Sequence, residues 1–150
     1  MHRATTRRKE IDVARVREAV EVAERTTSAE IVVSIAPFFL GRVWQAAQCA
    51  FARFGVSRTR GRNGVLVFVV PSRRQVVVLA DDGALARVDP SVWSETATQI
   101  ATAFARGRGT DGLVEGIARL ARSLRGPFPH DCTDVNELPD QPMLAGGGRP

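Results

Sequence analysis

Four oxygen-bearing side chains stand next to three apolar runs, where folding could bring them together. Glu30 begins the first run, Asn63 precedes the second, and Asp81 and Asp82 follow the third. Carboxylate and amide oxygens are hard ligands, which suit Ca²⁺ or Mg²⁺ better than zinc. A divalent-cation site at these residues therefore depends on the elements that carry them.

The three apolar runs predict strands of a buried sheet. They cover residues 30–35, 65–70 and 75–80, and all are rich in valine. The first two, joined through a helix, should form a right-handed parallel unit, and the short Pro71-Ser72-Arg73-Arg74 connection should make the last two an antiparallel hairpin. This topology places the starts of the first two strands and the end of the third at one edge, so the four side chains should converge there.

Four amphipathic stripes predict helices around this sheet. Apolar residues recur every three or four positions over about residues 10–25, 42–54, 91–104 and 111–124. Trp44 and Cys49 fall within the second stripe and Trp93 within the third, and we expect all three in the core. The order α-β-α-β-β-α-α predicts an α/β protein, a Rossmann-like α/β/α sandwich on a small mixed sheet.

Length and composition fit one domain. The chain has 150 residues, of which 44% are hydrophobic and 25% charged. We expect a basic flexible leader over residues 1–9, the folded domain over 10–142 and a flexible tail over 143–150. No apolar run reaches membrane-spanning length, no secretory signal is visible, and two cysteines are too few for a disulfide framework. These features predict a cytoplasmic protein without a transmembrane segment, at most peripheral at the membrane.

The net charge of +5 raises the question of nucleic-acid binding. Lys9 is the only lysine beside 20 arginines, a bias typical of proteins from GC-rich genomes. The chain has no tyrosine and only 6% aromatic residues, so platforms for base stacking are scarce. We therefore expect no nucleic-acid partner.

Two other interpretations of the acidic residues stay open at this point. Asp81-Asp82-Gly83 is also ordinary turn chemistry, since aspartate bonds its own backbone and glycine accepts a positive φ. The arginine-rich loop at 58–62 could pair with Glu30 in a surface ion pair or neutralise the other carboxylates. The same loop offers Thr59, Arg60 and Arg62 as candidates for holding a phosphate group.

In this order, several short motifs resemble the TPM domain family over roughly residues 10–142. The motifs are Thr27-Ser28-Ala29-Glu30-Ile31-Val32-Val33, Arg62-Asn63-Gly64-Val65-Leu66-Val67-Phe68, Leu79-Ala80-Asp81-Asp82-Gly83, Val92-Trp93, Phe104-Ala105-Arg106-Gly107, Gly112-Leu113-Val114-Glu115-Gly116-Ile117, Phe128-Pro129 and Asp134-Val135-Asn136-Glu137-Leu138-Pro139-Asp140. The last one resembles the ending of a short bacterial subgroup without a membrane anchor, often encoded beside a LemA-type membrane protein.

The resemblance implies a Rossmann-like sandwich with a divalent-cation site, usually for calcium. Asp81 and Asp82 match the family's acidic turn, and Asn63 matches its Asn-Gly strand start. Members are described as acid phosphatases or as factors in the assembly and repair of membrane complexes. The signal peptide and C-terminal membrane helix of many members have no counterpart in this sequence.

Two functional hypotheses follow. The first is a Ca²⁺- or Mg²⁺-binding accessory module that acts with a LemA-type or other membrane-complex protein, with Glu30, Asn63, Asp81 and Asp82 as ligands. The second is a metal-assisted, acid phosphatase-like hydrolase of phosphate monoesters. The hydrolase needs an activated nucleophile, and the sequence offers no convincing one, so the question of enzymatic activity stays open.

Overall fold

The computed structural model describes residues 11–55, 61–130 and 143–144. The elements within these ranges, in chain order, are α1 (Val13–Glu24), β1 (Glu30–Ile35), α2 (Val43–Arg53), β2 (Gly64–Val70), a 3-10 turn (Pro71–Arg73), β3 (Gln75–Ala80), α3 (Asp82–Arg87), α4 (Ser91–Ala105), α5 (Gly109–Leu124) and β4 (Met143–Leu144).

The described strands form one mixed sheet in the order β3-β2-β1-β4. β1 runs parallel to β2, with Glu30 opposite Gly64, and β2 runs antiparallel to β3, with Val65 opposite Ala80. The predicted parallel unit and hairpin are therefore confirmed. The two residues of β4 pair in parallel with the end of β1, where the sequence interpretation had placed no strand.

Two separate cores cover the two faces of the sheet, because successive strand residues point to opposite sides. Ile31, Val33 and Val65 belong to the larger core, which includes buried residues of α1, α4 and α5. Val32 and Leu66 belong to the smaller core, on which α2 packs. This arrangement confirms the α/β class and the predicted sandwich of helices on both faces.

The larger core depends on a close approach of α4 and α5. α4 begins beside Asp89, whose carboxylate accepts a hydrogen bond from the backbone N–H of Ser91 at 2.9 Å. The backbone N–H and side chain of Ser91 lower the pKa of Asp89 from its usual value. On α5, a Cβ added at Gly116 would lie 2.6 Å from Ile100 Cδ1, so glycine lets the two helices pack at this spacing without displacing the buried Ile100 side chain.

Two helical expectations are wrong. Trp44 is 56% exposed, and Cys49 is also exposed. The residues of α2 that are buried are small, Val43, Ala47 and Ala50, and they lie on a helix face rotated away from both side chains. Trp93, by contrast, lies in the core as expected.

The Asp81-Asp82-Gly83 turn that follows β3 also starts the short helix α3, for which the sequence predicted no helix. None of the helices within the described ranges combines the length and apolarity needed to cross a bilayer.

Candidate functional site

One edge of the sheet carries the oxygen-bearing residues singled out by the sequence. The strand register places Glu30 opposite Gly64, and the backbone N–H of Asp81 donates to the Gly64 carbonyl at 2.9 Å. The Asn63 side-chain amide donates to the Ser28 carbonyl at 3.3 Å, which ties the segment before β2 to the one before β1. The backbone positions of all three segments thus meet at this edge, which we call the acidic edge.

Asp81 is a buried and firmly positioned carboxylate of the acidic edge. Its side chain is only 5% exposed, and its Oδ1 accepts a hydrogen bond from the Asp82 backbone N–H at 2.8 Å, which caps α3. Its Oδ2 is shielded from solvent and lies 3.2 Å from Arg62 Nε without hydrogen-bond geometry. Burying a carboxylate oxygen that accepts no hydrogen bond costs folding free energy unless a cation lies against it.

Arg62 supplies that positive charge. Its guanidinium lies 3.2 Å from Asp81 Oδ2 and 3.5 Å from Asp82 Oδ2, so it bridges the two aspartates. The Arg62 side chain is 55% exposed and that of Asp82 is 83% exposed, which makes the outer half of the bridge weak. The Arg62 backbone has φ 51°, in the left-handed region that most residues avoid.

Gly83 explains how the arginine loop comes so close to the acidic turn. A Cβ at this position would lie 2.5 Å from the Gly61 carbonyl oxygen and 2.6 Å from that of Arg62. The Ala84 backbone N–H donates to the same Arg62 carbonyl at 3.2 Å. The sequence analysis did not predict this contact between α3 and the arginine loop. The glycine of the Asp81-Asp82-Gly83 string was the signal in the sequence that could have indicated it.

The predicted ligands differ in their surroundings. Glu30 and Asn63 are both buried, at 8% and 6% exposure, whereas Asp82 lies in solvent. Thr59 and Arg60, the other candidates for phosphate contact, lie outside the described residues. The edge therefore consists of a buried part, fixed by strands, and an exposed part on α3 and the arginine loop.

The donor atoms are of the type that Ca²⁺ and Mg²⁺ prefer, but they do not form a ready cage. Within residues 11–55, 61–130 and 143–144, no group of three or more histidine, cysteine, aspartate and glutamate side chains is arranged to hold a metal ion. Each alternative interpretation is realised in part: Asp81 caps α3 through its side chain, although Gly83 has no positive φ, and Arg62 lies against the carboxylates of Asp81 and Asp82. A cation at this edge would have to take the place of the Arg62 guanidinium.

Comparisons with known proteins agree with this fold. The TPM domain family matches residues 9–123. The structure is similar to the NMR structure of the BA42 protein from the psychrophilic bacterium Bizionia argentinensis, at 28% identity over 91% of this chain and 97% of that one, with a TM-score of 0.80. It is also similar to the N-terminal domain of a protein from P. gingivalis, at 18% identity over 83% of each chain, with a TM-score of 0.67. No curated protein matches the sequence.

Proposed function

This chain belongs to the TPM domain family, and we propose that it is a divalent-cation-binding module that acts with a membrane-associated partner protein. The observation that supports the proposal most directly is the Asp81 carboxylate. Its Oδ2 is shielded from solvent, makes no hydrogen bond and has a half-exposed guanidinium as its counterion. Such an oxygen favours a cation, and the cation need not be an arginine.

Exchange of Arg62 for a metal ion requires little rearrangement of the sheet. Asp81 is held by its bond to the Asp82 backbone and by the ladder to β2. Arg62 is half exposed and its contact with Asp82 lies in solvent, so that contact stabilises the loop little. The incoming ion would replace the guanidinium as the counterion of the buried Asp81 oxygen. The vacated position would lie against the Asp81 and Asp82 carboxylates, which the guanidinium now contacts.

Calcium suits this exchange better than magnesium. Ca²⁺ takes six to eight oxygen ligands in a flexible geometry, including carbonyl groups and water, whereas Mg²⁺ demands a near-ideal octahedron. The proposed ligands come from three segments: Glu30 begins β1, Asn63 precedes β2, and Asp81 and Asp82 lie at the start of α3. Ligands that come from several segments are easier to bring around a larger and more tolerant ion.

The membrane-associated partner is supported by sequence rather than by contacts. Residues 134–140 resemble the ending of the subgroup often encoded beside LemA-type membrane proteins. Residues 131–142 lie outside the described residues, so this part of the proposal rests on that resemblance alone.

Calorimetric titration with Ca²⁺ and, separately, Mg²⁺ tests the cation site. We expect one saturable Ca²⁺ site in the wild type, weakened at least tenfold by Asp81→Asn. The matched control is Glu95→Gln, which removes an exposed carboxylate of α4 that pairs with Arg119; it should bind as the wild type does. Absence of saturable binding, or equal binding by Asp81→Asn and Glu95→Gln, would refute the proposal.

A second variant tests the exchange itself. Arg62→Asn removes the competing guanidinium, and asparagine tolerates the left-handed backbone at this position. If the ion replaces arginine, Arg62→Asn should bind Ca²⁺ more tightly than the wild type. Weaker binding by Arg62→Asn would mean that the arginine helps to build the site instead.

The alternative function, a metal-assisted hydrolase of phosphate monoesters, uses the same edge. A bound ion would polarise the phosphoryl group. Of the three candidates for phosphate contact, Arg62 is the one within the described residues, and half of its side chain faces solvent, where it could hold a phosphate oxygen. Steady-state hydrolysis of p-nitrophenyl phosphate with Mg²⁺ tests this. Activity abolished by Asp81→Asn supports it, and activity that survives in Asp81→Asn comes from elsewhere.

A further inference from the structure

The end of the sheet opposite the acidic edge exposes large apolar side chains. The loop after β1 and the first turn of α2 carry Phe38, Leu40 and Trp44, which are 82%, 100% and 56% exposed. They make up three of the five exposed large hydrophobic residues in the described part of the chain. Three such side chains within seven residues of sequence are more than the isolated exposure that soluble proteins usually show.

This loop is held in place by its own inward contacts. Phe39, between the two most exposed residues, is half-buried and packs on the smaller core under α2. Arg73, from the turn between β2 and β3, donates from Nη1 to the carbonyl groups of Phe39 and Gly41. The outward direction of Phe38 and Leu40 is therefore a consequence of how their neighbours are anchored.

Within the described residues, the charged side chains next to these apolar residues are arginines. Arg42 precedes α2, and Arg73 and Arg74 lie in the turn that contacts the loop; all three are exposed. Residues 31–80 contain seven arginines and neither an aspartate nor a glutamate. The acidic residues of α1, α4 and α5 lie on the helices of the other sheet face.

We infer that this apolar and basic end, comprising Phe38, Leu40, Arg42, Trp44 and the Arg73-Arg74 turn, docks on an anionic lipid bilayer. Aromatic and aliphatic side chains enter the boundary between headgroups and acyl chains, and tryptophan prefers that boundary. Arginines at the same level contact lipid phosphates and attract an anionic leaflet. The arginines and the apolar side chains of this end therefore both fit an anionic bilayer.

A single-stranded nucleic acid would be the other polyanion to consider. It is recognised by stacking of bases on aromatic rings above a basic groove. Leu40, the most exposed residue of the loop, has no ring on which a base could stack. A fully exposed leucine, two residues from Phe38 and two from Arg42, matches an acyl interior better than a base.

The two tryptophans make the test direct, because Trp44 is exposed and Trp93 is only 8% exposed. The full chain is titrated, in EGTA so that the acidic edge is not involved, with vesicles of phosphatidylcholine alone and with about one-third phosphatidylserine. We expect a blue shift of tryptophan emission and co-sedimentation with the phosphatidylserine vesicles, and weakening by added salt.

Variants assign the effect to the loop. The double variant Phe38→Ser/Leu40→Ser should lower vesicle affinity at least tenfold, and Arg42→Gln should lower it about fivefold. Val22→Ser, which removes an exposed valine of α1, is the matched control and should bind as the wild type does.

Three outcomes overturn the inference: no binding to phosphatidylserine vesicles, equal binding by the double variant and Val22→Ser, or a blue shift with an oligonucleotide but not with vesicles. None of them bears on Ca²⁺ binding by Asp81, because the two surfaces lie at opposite ends of the sheet and the assay excludes calcium.

Discussion

Gly83→Ala should separate the arginine loop from the acidic turn. The added Cβ would lie 2.5 Å from the Gly61 carbonyl oxygen and 2.6 Å from that of Arg62. Both obstacles are backbone atoms, so no change of rotamer relieves them and the loop itself has to move. The movement also strains the hydrogen bond from the Ala84 N–H to the Arg62 carbonyl.

The size of the effect can be worked from these contacts. Overpacking against backbone costs about 1–3 kcal/mol of unfolding free energy, and loss of the Ala84 hydrogen bond costs about 1 kcal/mol more. Alanine has a higher helix propensity than glycine, which stabilises the short helix α3 by about 1 kcal/mol. We therefore expect a net destabilisation of about 2 kcal/mol, or a Tm lowered by about 4–8 °C for a chain of this size.

Urea unfolding followed by far-ultraviolet circular dichroism measures this difference. Gly126→Ala is the matched control, since a Cβ there would meet nothing within 4 Å. Equal unfolding free energies for Gly83→Ala and Gly126→Ala, within about 0.5 kcal/mol, would refute the packing of the acidic turn described above.

Two further predictions concern the helices of the larger core. Ser91→Ala removes one of the two hydrogen bonds that lower the pKa of Asp89, so a carboxyl NMR titration should show that pKa rising toward its usual value. Because the pKa of Asp89 is lower in the folded than in the unfolded protein, its hydrogen bonds stabilise the fold above the unfolded-state pKa. That stabilisation is lost as pH falls through the folded-state pKa. The unfolding free energies of wild type and Ser91→Ala should therefore approach each other in acid. Gly116→Ala should cost about 1–3 kcal/mol, and Ile100→Ala should offset part of that cost in the double variant because it removes both Cδ1 and Cγ1, which the new Cβ would meet at 2.6 and 2.7 Å. Strictly additive costs in urea unfolding of the double variant would contradict that contact.

The sheet was predictable because its signals are local. Runs of β-branched residues such as 65–70 form buried strands in almost any setting, and a crossover helix fixes their parallel direction. From those two facts the meeting of Glu30, Asn63 and Asp81 at one edge follows. The bridge through Arg62 does not follow, because it depends on the close approach at Gly83, which involves residues distant in sequence.

The face of α2 was not predictable for a related reason. Trp44, Ala47, Phe51 and Phe54 form one apolar stripe at helical spacing, and the buried residues Val43, Ala47 and Ala50 form an overlapping stripe shifted by about one position. Periodicity cannot choose between them, and residue size favoured the wrong one. α2 packs on the sheet through its small residues, and Trp44 therefore remains exposed to solvent.

Net charge was equally ambiguous. The +5 of the whole chain suggests a diffuse excess of arginine, whereas the segment 31–80 has no acidic residue at all. Only the placement of Arg73 against the loop at Phe39 shows that part of this charge stands beside exposed apolar side chains. The composition gives only the net charge of the chain, whereas the fold places Arg73 next to the exposed apolar loop.

The central claim, a cation site at the acidic edge, is tested most directly by residue-resolved NMR during a Ca²⁺ titration. We predict saturable shifts of the backbone amides at Glu30, residues 61–64 and residues 81–84, with no change in the loop at 38–41. Shifts that do not saturate, or that spread evenly over exposed carboxylates such as Glu95, would contradict the claim.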